Sequence, residues 1–197
     1  NSIQFGPDGR LYVCDIGNHR VRVVNLESGL ISTLAGNGER LPTPDGAAFA
    51  QVPLNGPRTL DFDPAGRLWL ALREGNQVFV LDLQAGTIHH VAGTGEKGFT
   101  GHGGPAKHAT LSGPKGIAIG PDGNVYLADT ESHSVRMIDL KTGHLELIAG
   151  TGSKHDGPDG DPRKCGLARP HGIFVDADGV VYIGDSENHR LRVIRGR

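Results

Sequence analysis

The feature of this sequence that most constrains its fold is a thirteen-residue segment that recurs with few changes. It reads YVCDIGNHRVRVV at 12–24, YLADTESHSVRMI at 126–138 and YIGDSENHRLRVI at 182–194. A fourth place in the same register, 69–81, reads WLALREGNQVFVL and lacks both the Asp and the His. A regular internal period of this kind predicts a repeat architecture.

The turn glycine that precedes each copy fixes the period. Successive glycines are 57, 57 and 56 residues apart, at Gly9, Gly66, Gly123 and Gly179. An aromatic residue follows each glycine by three positions, at Tyr12, Trp69, Tyr126 and Tyr182. The chain therefore carries four copies of one unit.

Each copy contains four short apolar runs separated by turn signals. In the third copy these runs are 116–120, 124–129, 134–140 and 145–150. Short runs rich in β-branched and aromatic residues favour strands over helices, and the PDG and KTG turns suit tight hairpins. We therefore expect each copy to form a four-stranded antiparallel meander.

The second run of each copy indicates how the sheets pack. Val125, Tyr126, Leu127 and Ala128 are all apolar, whereas a strand with one wet face would alternate. A small residue recurs at one position of this run, at Cys14, Ala71, Ala128 and Gly184. Four-stranded sheets that are covered on both faces and repeat at this period are the blades of a β-propeller. The predicted fold class is therefore all-β, a β-propeller of four-stranded antiparallel blades.

The repeats divide the chain into blades and long links. We expect one propeller domain, or a fragment of one, over residues 1–197. Its blades are expected at about 1–36, 54–93, 111–150 and 168–197. The inter-blade loops are expected at 37–53, 94–110 and 151–167.

The turn after the second run carries a resemblance to a known family. Asn-His followed by Arg occurs at 18–20 and at 188–190, and the third copy has Ser132-His133. Together with the entry proline, the DG turn and the Tyr-Val-Ala-Asp run, these residues resemble the NHL-repeat family from about Leu54 to the end. The resemblance implies a ring that is commonly six-bladed, of which the four copies would form part. The remaining blades would come from the same chain or from a second one.

An Asp ends the second run in three copies, and a His follows it by four residues. The pairs are Asp15 and His19, Asp129 and His133, and Asp185 and His189. A carboxylate at a strand end can accept backbone N–H groups of the turn and a ring N–H of the histidine. We interpret the pairs as structural locks on the turn, and the alternative is a metal or catalytic set.

The second copy has lost this pair. Leu72 replaces the Asp and Asn76 replaces the His, with Arg73 and Glu74 between them. Ordinary repeat drift would explain the change. The alternative is a turn released from its structural duty, in which Arg73 and Glu74 contribute to a ligand site.

A basic residue follows the entry proline in three copies, at Arg58, Lys115 and His171. In a propeller, the start of the innermost strand and the end of the second strand lie on one rim beside the axis, where ligands commonly bind. We predict that this rim attracts an anionic or polar ligand. The alternative is local ion pairing with the neighbouring aspartates.

The charge distribution argues against a general affinity for nucleic acid. The net charge is −2 with acids and bases intermixed, whereas such binding needs clustered Lys and Arg. Some animal members of the family bind RNA through a basic face, but we expect Arg22, Arg136 and Arg192 on a solvated strand face. No run approaches the ~18 apolar residues that a membrane span requires.

Two functions compete. The first is a non-catalytic scaffold that presents the loop face to a protein, peptide or glycan. The alternative is a metal-dependent lactonase or hydrolase, like the gluconolactonase-type propellers that resemble this fold.

A metal site of this kind would be built around Asp61, the only acid that interrupts the innermost strands, with Gln4 as its nearest polar companion. No nucleophile motif is present, and we expect no cofactor and no tightly held metal. The acidic segment 156–161 crowds carboxylates but lacks the EF-hand pattern.

Overall fold

The computed structural model describes residues 2–195 and contains four antiparallel sheets, each with its strands paired in chain order. Blade 1 contains β1 (Ile3–Phe5), β2 (Leu11–Asp15), β3 (Arg20–Asn25) and β4 (Leu30–Ala35). Blade 2 contains β5 (Pro57–Phe62), β6 (Leu68–Leu72), β7 (Gln77–Asp82) and β8 (Thr87–Ala92). After the two-residue β9 (Gly104–Pro105), blade 3 contains β10 (Pro114–Ile119), β11 (Val125–Asp129), β12 (Ser134–Asp139) and β13 (His144–Gly150). Blade 4 contains β14 (Gly172–Val175), β15 (Val181–Asp185) and β16 (Arg190–Ile194). The predicted all-β propeller architecture is confirmed.

The second strands of the two inner blades are covered on both faces, as their composition predicted. Every residue of β6 and β11 is buried, whereas β2 and β15 alternate between buried and partly exposed residues. The outer faces of blades 1 and 4 expose large apolar side chains, at Ile3, Phe5, Phe174 and Leu191. The core therefore lies between consecutive blades.

Side chains of β6 show how one strand serves two core layers. Leu68, Leu70 and Leu72 lie in the layer shared with blade 1. Trp69 and Ala71 lie in the layer shared with blade 3. Since burial of apolar surface contributes about 25 cal/mol per Å², each inner blade is stabilised mainly by its two neighbours.

An aspartate holds the aromatic residue of each copy, and in blades 1 and 3 it directly precedes the turn glycine. The hydroxyl of Tyr12 donates to Asp8 at 3.0 Å, and that of Tyr126 donates to Asp122 at 3.0 Å. In both of these blades, the residue two positions before the aspartate is a glycine. A Cβ at Gly120 would lie 2.7 Å from the Tyr126 ring, so a larger residue would displace the ring.

In blades 2 and 4 the aspartate lies three residues before the turn glycine. Trp69 donates its indole N–H to Asp63 at 2.9 Å. The Tyr182 hydroxyl donates to Asp176 at 3.1 Å. The aspartate thus alternates between these two positions from one blade to the next. At either position its carboxylate accepts a hydrogen bond from the polar end of an aromatic ring, whose body packs on apolar side chains.

The long links run along the outer strand of the next blade. The Gly46 N–H donates to the Ile88 carbonyl at 2.8 Å, and the Ile88 N–H donates to the Ala47 carbonyl at 3.0 Å. In the same way, the Gly103 N–H donates to the Leu145 carbonyl at 2.8 Å. In blades 2 and 3 the outer strand therefore lies between its own sheet and a folded link.

Helical structure within residues 2–195 consists of single 3-10 turns. These occupy Ile16–Asn18, Ala106–His108, Thr130–Ser132 and Ser186–Asn188. None of the helices in this range is long and apolar enough to cross a membrane.

Candidate ligand-binding rim

The turn aspartates join two strands of their own blade. Asp129 accepts the Ser112 N–H at 2.7 Å, and Asp185 accepts the Ala168 N–H at 2.7 Å. Ser112 and Ala168 each lie two residues before the entry proline of the same blade. The carboxylate therefore fixes the start of the innermost strand against the end of the second strand.

The partner of each aspartate within the turn is the residue before the histidine, which corrects the predicted Asp–His hydrogen bond. The Asn18 amide donates to Asp15 at 2.9 Å, and the Asn188 amide donates to Asp185 at 2.8 Å. In blade 3 the hydroxyl of Ser132 takes this place at 2.6 Å from Asp129. The asparagine and the histidine of the motif thus have separate tasks.

The histidine reaches the next blade. His19 and His133 have left-handed backbones, with φ of 54° and 51°. The Arg40 guanidinium donates to His19 Nε2 at 2.7 Å, and His19 Nδ1 lies 3.2 Å from the Leu54 carbonyl and 3.4 Å from the Gly56 N–H. In blade 3 the Nδ1 of His133 accepts the Arg169 N–H at 3.1 Å. Each ring therefore links its turn to the entry of the following blade. The third predicted histidine, His189, has the same left-handed backbone with φ 53°.

The second copy keeps this link despite its altered residues. Asn76 has φ 49°, and its side-chain oxygen accepts the Gly113 N–H at 2.8 Å. Leu72 is fully buried in the layer between blades 1 and 2. This turn, for which release from structural duty was the alternative to repeat drift, is therefore held by an asparagine in place of histidine and by an apolar contact in place of aspartate.

The predicted solvated face of third-strand arginines is wrong for blades 3 and 4. Arg136 is completely buried, donates to Asp129 at 3.3 Å and to the Thr100 carbonyl at 2.7 Å, and lies over the Phe99 ring at 5.2 Å. The sequence offered no sign of this burial, because arginine at an alternating position is usually exposed. The equivalent Arg192 is also largely buried, with a side chain that is 10% exposed.

Arg192 explains the crowded carboxylates of segment 156–161. It donates to Asp185 at 2.7 Å, to Asp156 at 2.7 Å and to Asp159 at 2.6 Å. Arg190 adds a second contact to Asp156 at 2.9 Å. Asp156 and Asp159 are thus balanced by arginines of β16, and Asp161 lies 3.8 Å from Lys164. Within residues 2–195 no group of three or more His, Cys, Asp or Glu side chains is arranged to hold a metal ion.

The three basic residues that follow the entry prolines lie together, on the axial side of the arc. Arg58, Lys115 and His171 line one pocket of about 590 Å³ with Gln4 and Asp61. They come from three consecutive blades, and the pocket floor consists of the innermost strands. We call this site the rim pocket.

Lys115 and His171 are in direct contact inside the rim pocket. The ammonium group of Lys115 donates to Nε2 of His171 at 3.1 Å and lies 3.4 Å from Glu131. The Lys115 side chain is 7% exposed. Burial, followed by the charges of Lys115 and Arg169, lowers the pKa of His171. Burial and the charge of Arg169 also lower the pKa of Lys115. A buried ammonium group thus donates to a histidine whose lowered pKa favours the neutral ring.

Arg73 and Glu74 pair with each other beside this pocket and are not among its lining residues. Arg73 also lies 3.8 Å from Glu131, which accepts Arg169 at 2.6 Å, and Arg169 contacts Glu187 at 2.8 Å. Burial alone would raise the pKa of Glu131, but the hydrogen bond and charge of Arg169 hold it below its usual value. These ion pairs connect blades 2, 3 and 4 along the rim.

Sequence reasoning missed this ionic network, although the repeat contained a signal for it. Arg169 stands where the two preceding copies have Gly56 and Gly113, and all three residues have positive φ. An arginine in a left-handed position that suits glycine indicates that its side chain has a specific contact.

Asp61 was the predicted starting point for a metal. Its Oδ1 accepts the Gln4 amide at 3.1 Å and the Phe62 N–H at 2.8 Å, and its Oδ2 accepts the Ile119 N–H at 2.9 Å. Burial raises the pKa of Asp61. Because both oxygens are engaged by donors from blades 1, 2 and 3, this carboxylate joins blades and does not fit the role of a metal ligand.

Comparison with known proteins shows which family these repeats belong to. A family model described as the NHL repeat matches residues 167–194, and the Teneurin NHL domain model matches residues 80–155. The chain belongs to the NHL-repeat family. The chain is 31% identical over 193 residues to the protein SUPPRESSOR OF QUENCHING 1, chloroplastic, of Arabidopsis thaliana, with 92% of this chain and 18% of that protein covered. It is 28% identical over 214 residues to human NHL repeat-containing protein 2, with 93% and 29% covered. The chain thus spans less than a third of the length of these relatives.

Solved structures share the propeller fold at low sequence identity. A Bacteroides thetaiotaomicron protein of unknown function superposes with a TM-score of 0.78 at 18% identity, covering 98% of this chain and 46% of that one. Virginiamycin B lyase from Staphylococcus aureus gives a TM-score of 0.58 at 16% identity, with 100% and 55% covered. A putative gluconolactonase gives 0.61 at 19% identity, with 93% and 56% covered. These similarities concern the fold alone.

Proposed function

We propose that this NHL-repeat chain is a binding scaffold whose rim pocket receives an acidic group of a protein, peptide or glycan ligand. The observation that carries the proposal is the convergence of Arg58, Lys115 and His171, from three blades, on one pocket. A ligand carboxylate entering there meets the guanidinium of Arg58 and the ammonium group of Lys115, and it also meets a cationic His171 when that ring is protonated. The rigid blade contacts hold those donors in place before binding, which reduces the entropy lost on association.

The chemistry of the three groups favours an anion over a neutral polar ligand. Arg58 has a guanidinium, which presents a fork of donors that matches a carboxylate. Lys115 is paired with Glu131, yet it lies close enough to His171 that the pair gains from an added negative charge. Burial and, after it, the charge of Arg169 lower both pKa values, and an anion in the pocket would offset that charge.

The hydrolase alternative receives less support from the same pocket. Its only carboxylate, Asp61, accepts three hydrogen bonds that join neighbouring blades. A ligand carboxylate, by contrast, needs no protein acid in the pocket. Binding of an acidic ligand would therefore use Arg58, Lys115 and His171 without any rearrangement of Asp61.

The test is a calorimetric titration with two acidic probes, a hexaglutamate peptide and an oligosaccharide of uronic acids. Wild type is compared with the triple variant Arg58→Ala, Lys115→Ala, His171→Ala. Because each partly exposed ionic contact is worth about 1 kcal/mol or less, we expect the triple variant to bind roughly tenfold to a hundredfold more weakly.

A matched variant separates the pocket from overall charge. Arg10→Ala, Lys107→Ala, Lys164→Ala removes three cations that are exposed elsewhere on the surface. This control should bind like wild type once its thermal stability is shown to be unchanged. Equal affinity of wild type and the rim variant, or no binding of either probe, would refute the proposed function.

A further inference from the structure

Lys115 differs from the other lysines whose ion pairs the structure describes. It lies on β10 of blade 3, lines the rim pocket, and has a side chain that is 7% exposed. The side chains of Lys107, Lys154 and Lys164 are 54%, 60% and 82% exposed. Lys115 therefore presents an amine at a pocket while most of its surface is withdrawn from water.

The surroundings of this amine favour its neutral form. Burial and the charges of Arg169 and Arg73 lower the pKa of Lys115, while Glu131 acts in the opposite direction. A lysine that is partly desolvated and lies near other cations is a common arrangement for a nucleophilic amine. At a given pH, Lys115 therefore contains more of the reactive neutral amine than a lysine with the usual pKa.

A proton acceptor lies beside the amine. Nε2 of His171 is 3.1 Å from Nζ of Lys115. Because an ammonium group can only donate, Nε2 is the acceptor in this contact, and Nδ1 carries the proton of the neutral ring. The lowered pKa of His171, caused first by burial, favours that neutral ring. His171 can therefore accept a proton from the nitrogen of Lys115.

We propose that Lys115 captures an aldehyde that carries an acidic group, by forming an imine with it in the rim pocket. The neutral amine attacks the carbonyl carbon, so that a C–N bond forms and the electrons of the C=O bond move to the oxygen. His171 carries two protons in turn from the nitrogen to that oxygen, which leaves as water when the C=N bond forms. One amine and one aldehyde thus give one imine and one water, without oxidation or reduction.

Two neighbours of Lys115 define the class of ligand. Arg58 lines the same pocket, and its guanidinium presents a fork of donors that matches a carboxylate. The protonated imine keeps the positive charge of Lys115, so Glu131, which lies 3.4 Å from its nitrogen, retains an ion partner. Glyoxylate and the open-chain form of a uronic acid each combine an aldehyde with a carboxylate. The acidic group of the ligand rests on the proposed function, whereas the covalent step depends only on Lys115 and His171.

The experiment treats the 197-residue chain with glyoxylate and cyanoborohydride, which reduces an imine to carboxymethyl-lysine. Mass spectrometry of proteolytic peptides then gives the rate of modification at each lysine. We expect Lys115 to be modified about tenfold or more faster than the exposed Lys164, because its amine is activated. Glycolaldehyde, a neutral aldehyde of similar size, is the matched probe. Arg58→Ala should slow the modification of Lys115 by glyoxylate and leave that by glycolaldehyde unchanged.

Two further variants test the covalent step. Lys115→Arg keeps a cation beside Glu131, so it should retain the thermal midpoint and the modification of Lys164 while the fast reaction disappears. His171→Gln should slow the reaction at Lys115 about tenfold or more, because the proton acceptor is lost, and should leave Lys164 unaffected.

The proposal is overturned if Lys115 reacts no faster than Lys164, or if His171→Gln leaves its rate unchanged. It is also overturned if Arg58→Ala does not change the reaction with glyoxylate. The outcome is distinguishable from that of the proposed function. Fast modification of Lys115 without binding of hexaglutamate would refute the proposed function and support this inference, and binding of hexaglutamate without modification of Lys115 would do the reverse.

Discussion

Arg136 and Asp129 form an ion pair, 3.3 Å apart, in which both side chains are completely buried. Asp129 ties the entry of blade 3 to its second strand, and Arg136 connects the same carboxylate to the Thr100 carbonyl in the preceding link. Asp129 thus connects two strands of blade 3 and, through Arg136, also holds the link that precedes this blade.

Loss of this aspartate should be costly. Asp129→Ala leaves the buried Arg136 charge unpaired, and we expect a loss of about 3–5 kcal/mol in the free energy of unfolding. Asp15→Ala should cost about 1 kcal/mol or less, because its partner Arg22 is partly exposed. Urea denaturation of both variants measures the difference. Equal destabilisation by the two changes would show that burial of the ion pair is not what matters.

The turn histidine should be replaceable by asparagine. Asn76 already makes the blade-to-blade link with a left-handed backbone, and asparagine tolerates that conformation. His133→Asn is therefore expected to retain stability within about 0.5 kcal/mol. His133→Ala should lose about 1–3 kcal/mol, because the Arg169 N–H loses its acceptor.

A change at the exposed His108 serves as the control for these two variants. His108→Ala should leave the thermal midpoint where it is. If His133→Asn and His133→Ala prove equally unstable, the link to the next blade is not the reason why the turn geometry recurs in each blade.

Glycine should be required at Gly120 for steric reasons. A Cβ added at Gly120 would lie 2.7 Å from the ring of Tyr126, whose hydroxyl donates to Asp122. Gly120→Ala should therefore destabilise the chain by about 1–3 kcal/mol. Gly17→Ala, at a position with nothing within 4 Å, should be close to neutral in the same denaturation measurement. A stable Gly120→Ala variant would mean that the ring has room to move.

Acidic pH should strengthen binding at the rim pocket. Burial, Lys115, Arg169 and Arg58 lower the pKa of His171, while Glu131 acts in the opposite direction. His171 is therefore protonated only below the usual histidine pKa of about 6.5. Protonation adds a positive charge to the pocket. Affinity for hexaglutamate should rise between pH 7 and pH 5. The variant His171→Gln should lose this rise, and an unchanged pH profile in that variant would exclude His171 as its source.

The same shift affects the stability of the free chain. Because the folded state holds His171 at a lowered pKa, the unfolded state binds the proton more readily. Stability is therefore full above about pH 6.5 and falls as the pH decreases towards the folded pKa. Thermal midpoints measured with and without ligand separate this loss from the gain in binding.

Much of the fold follows from the sequence because the repeat period and the strand patterns repeat four times. The same period placed Arg58, Lys115 and His171 on one rim, and the structure brings them into one pocket. Burial of Arg136 was not predicted, since it depends on Thr100 and Phe99 of a link whose path no local pattern reveals. The partner of Asp15 was misassigned to His19 because two donors of suitable chemistry lie next to each other.

The most direct test of the scaffold account maps where an acidic ligand binds. Two-dimensional amide NMR of the 197-residue chain is recorded during titration with hexaglutamate at low salt and again at about 0.5 M salt, where exposed charges are largely screened. The account predicts shifts that centre on Arg58, Lys115, Gly116 and His171 and that fade at high salt. Shifts confined to the links 37–53, 94–110 and 151–167, with the rim amides unmoved, would contradict it.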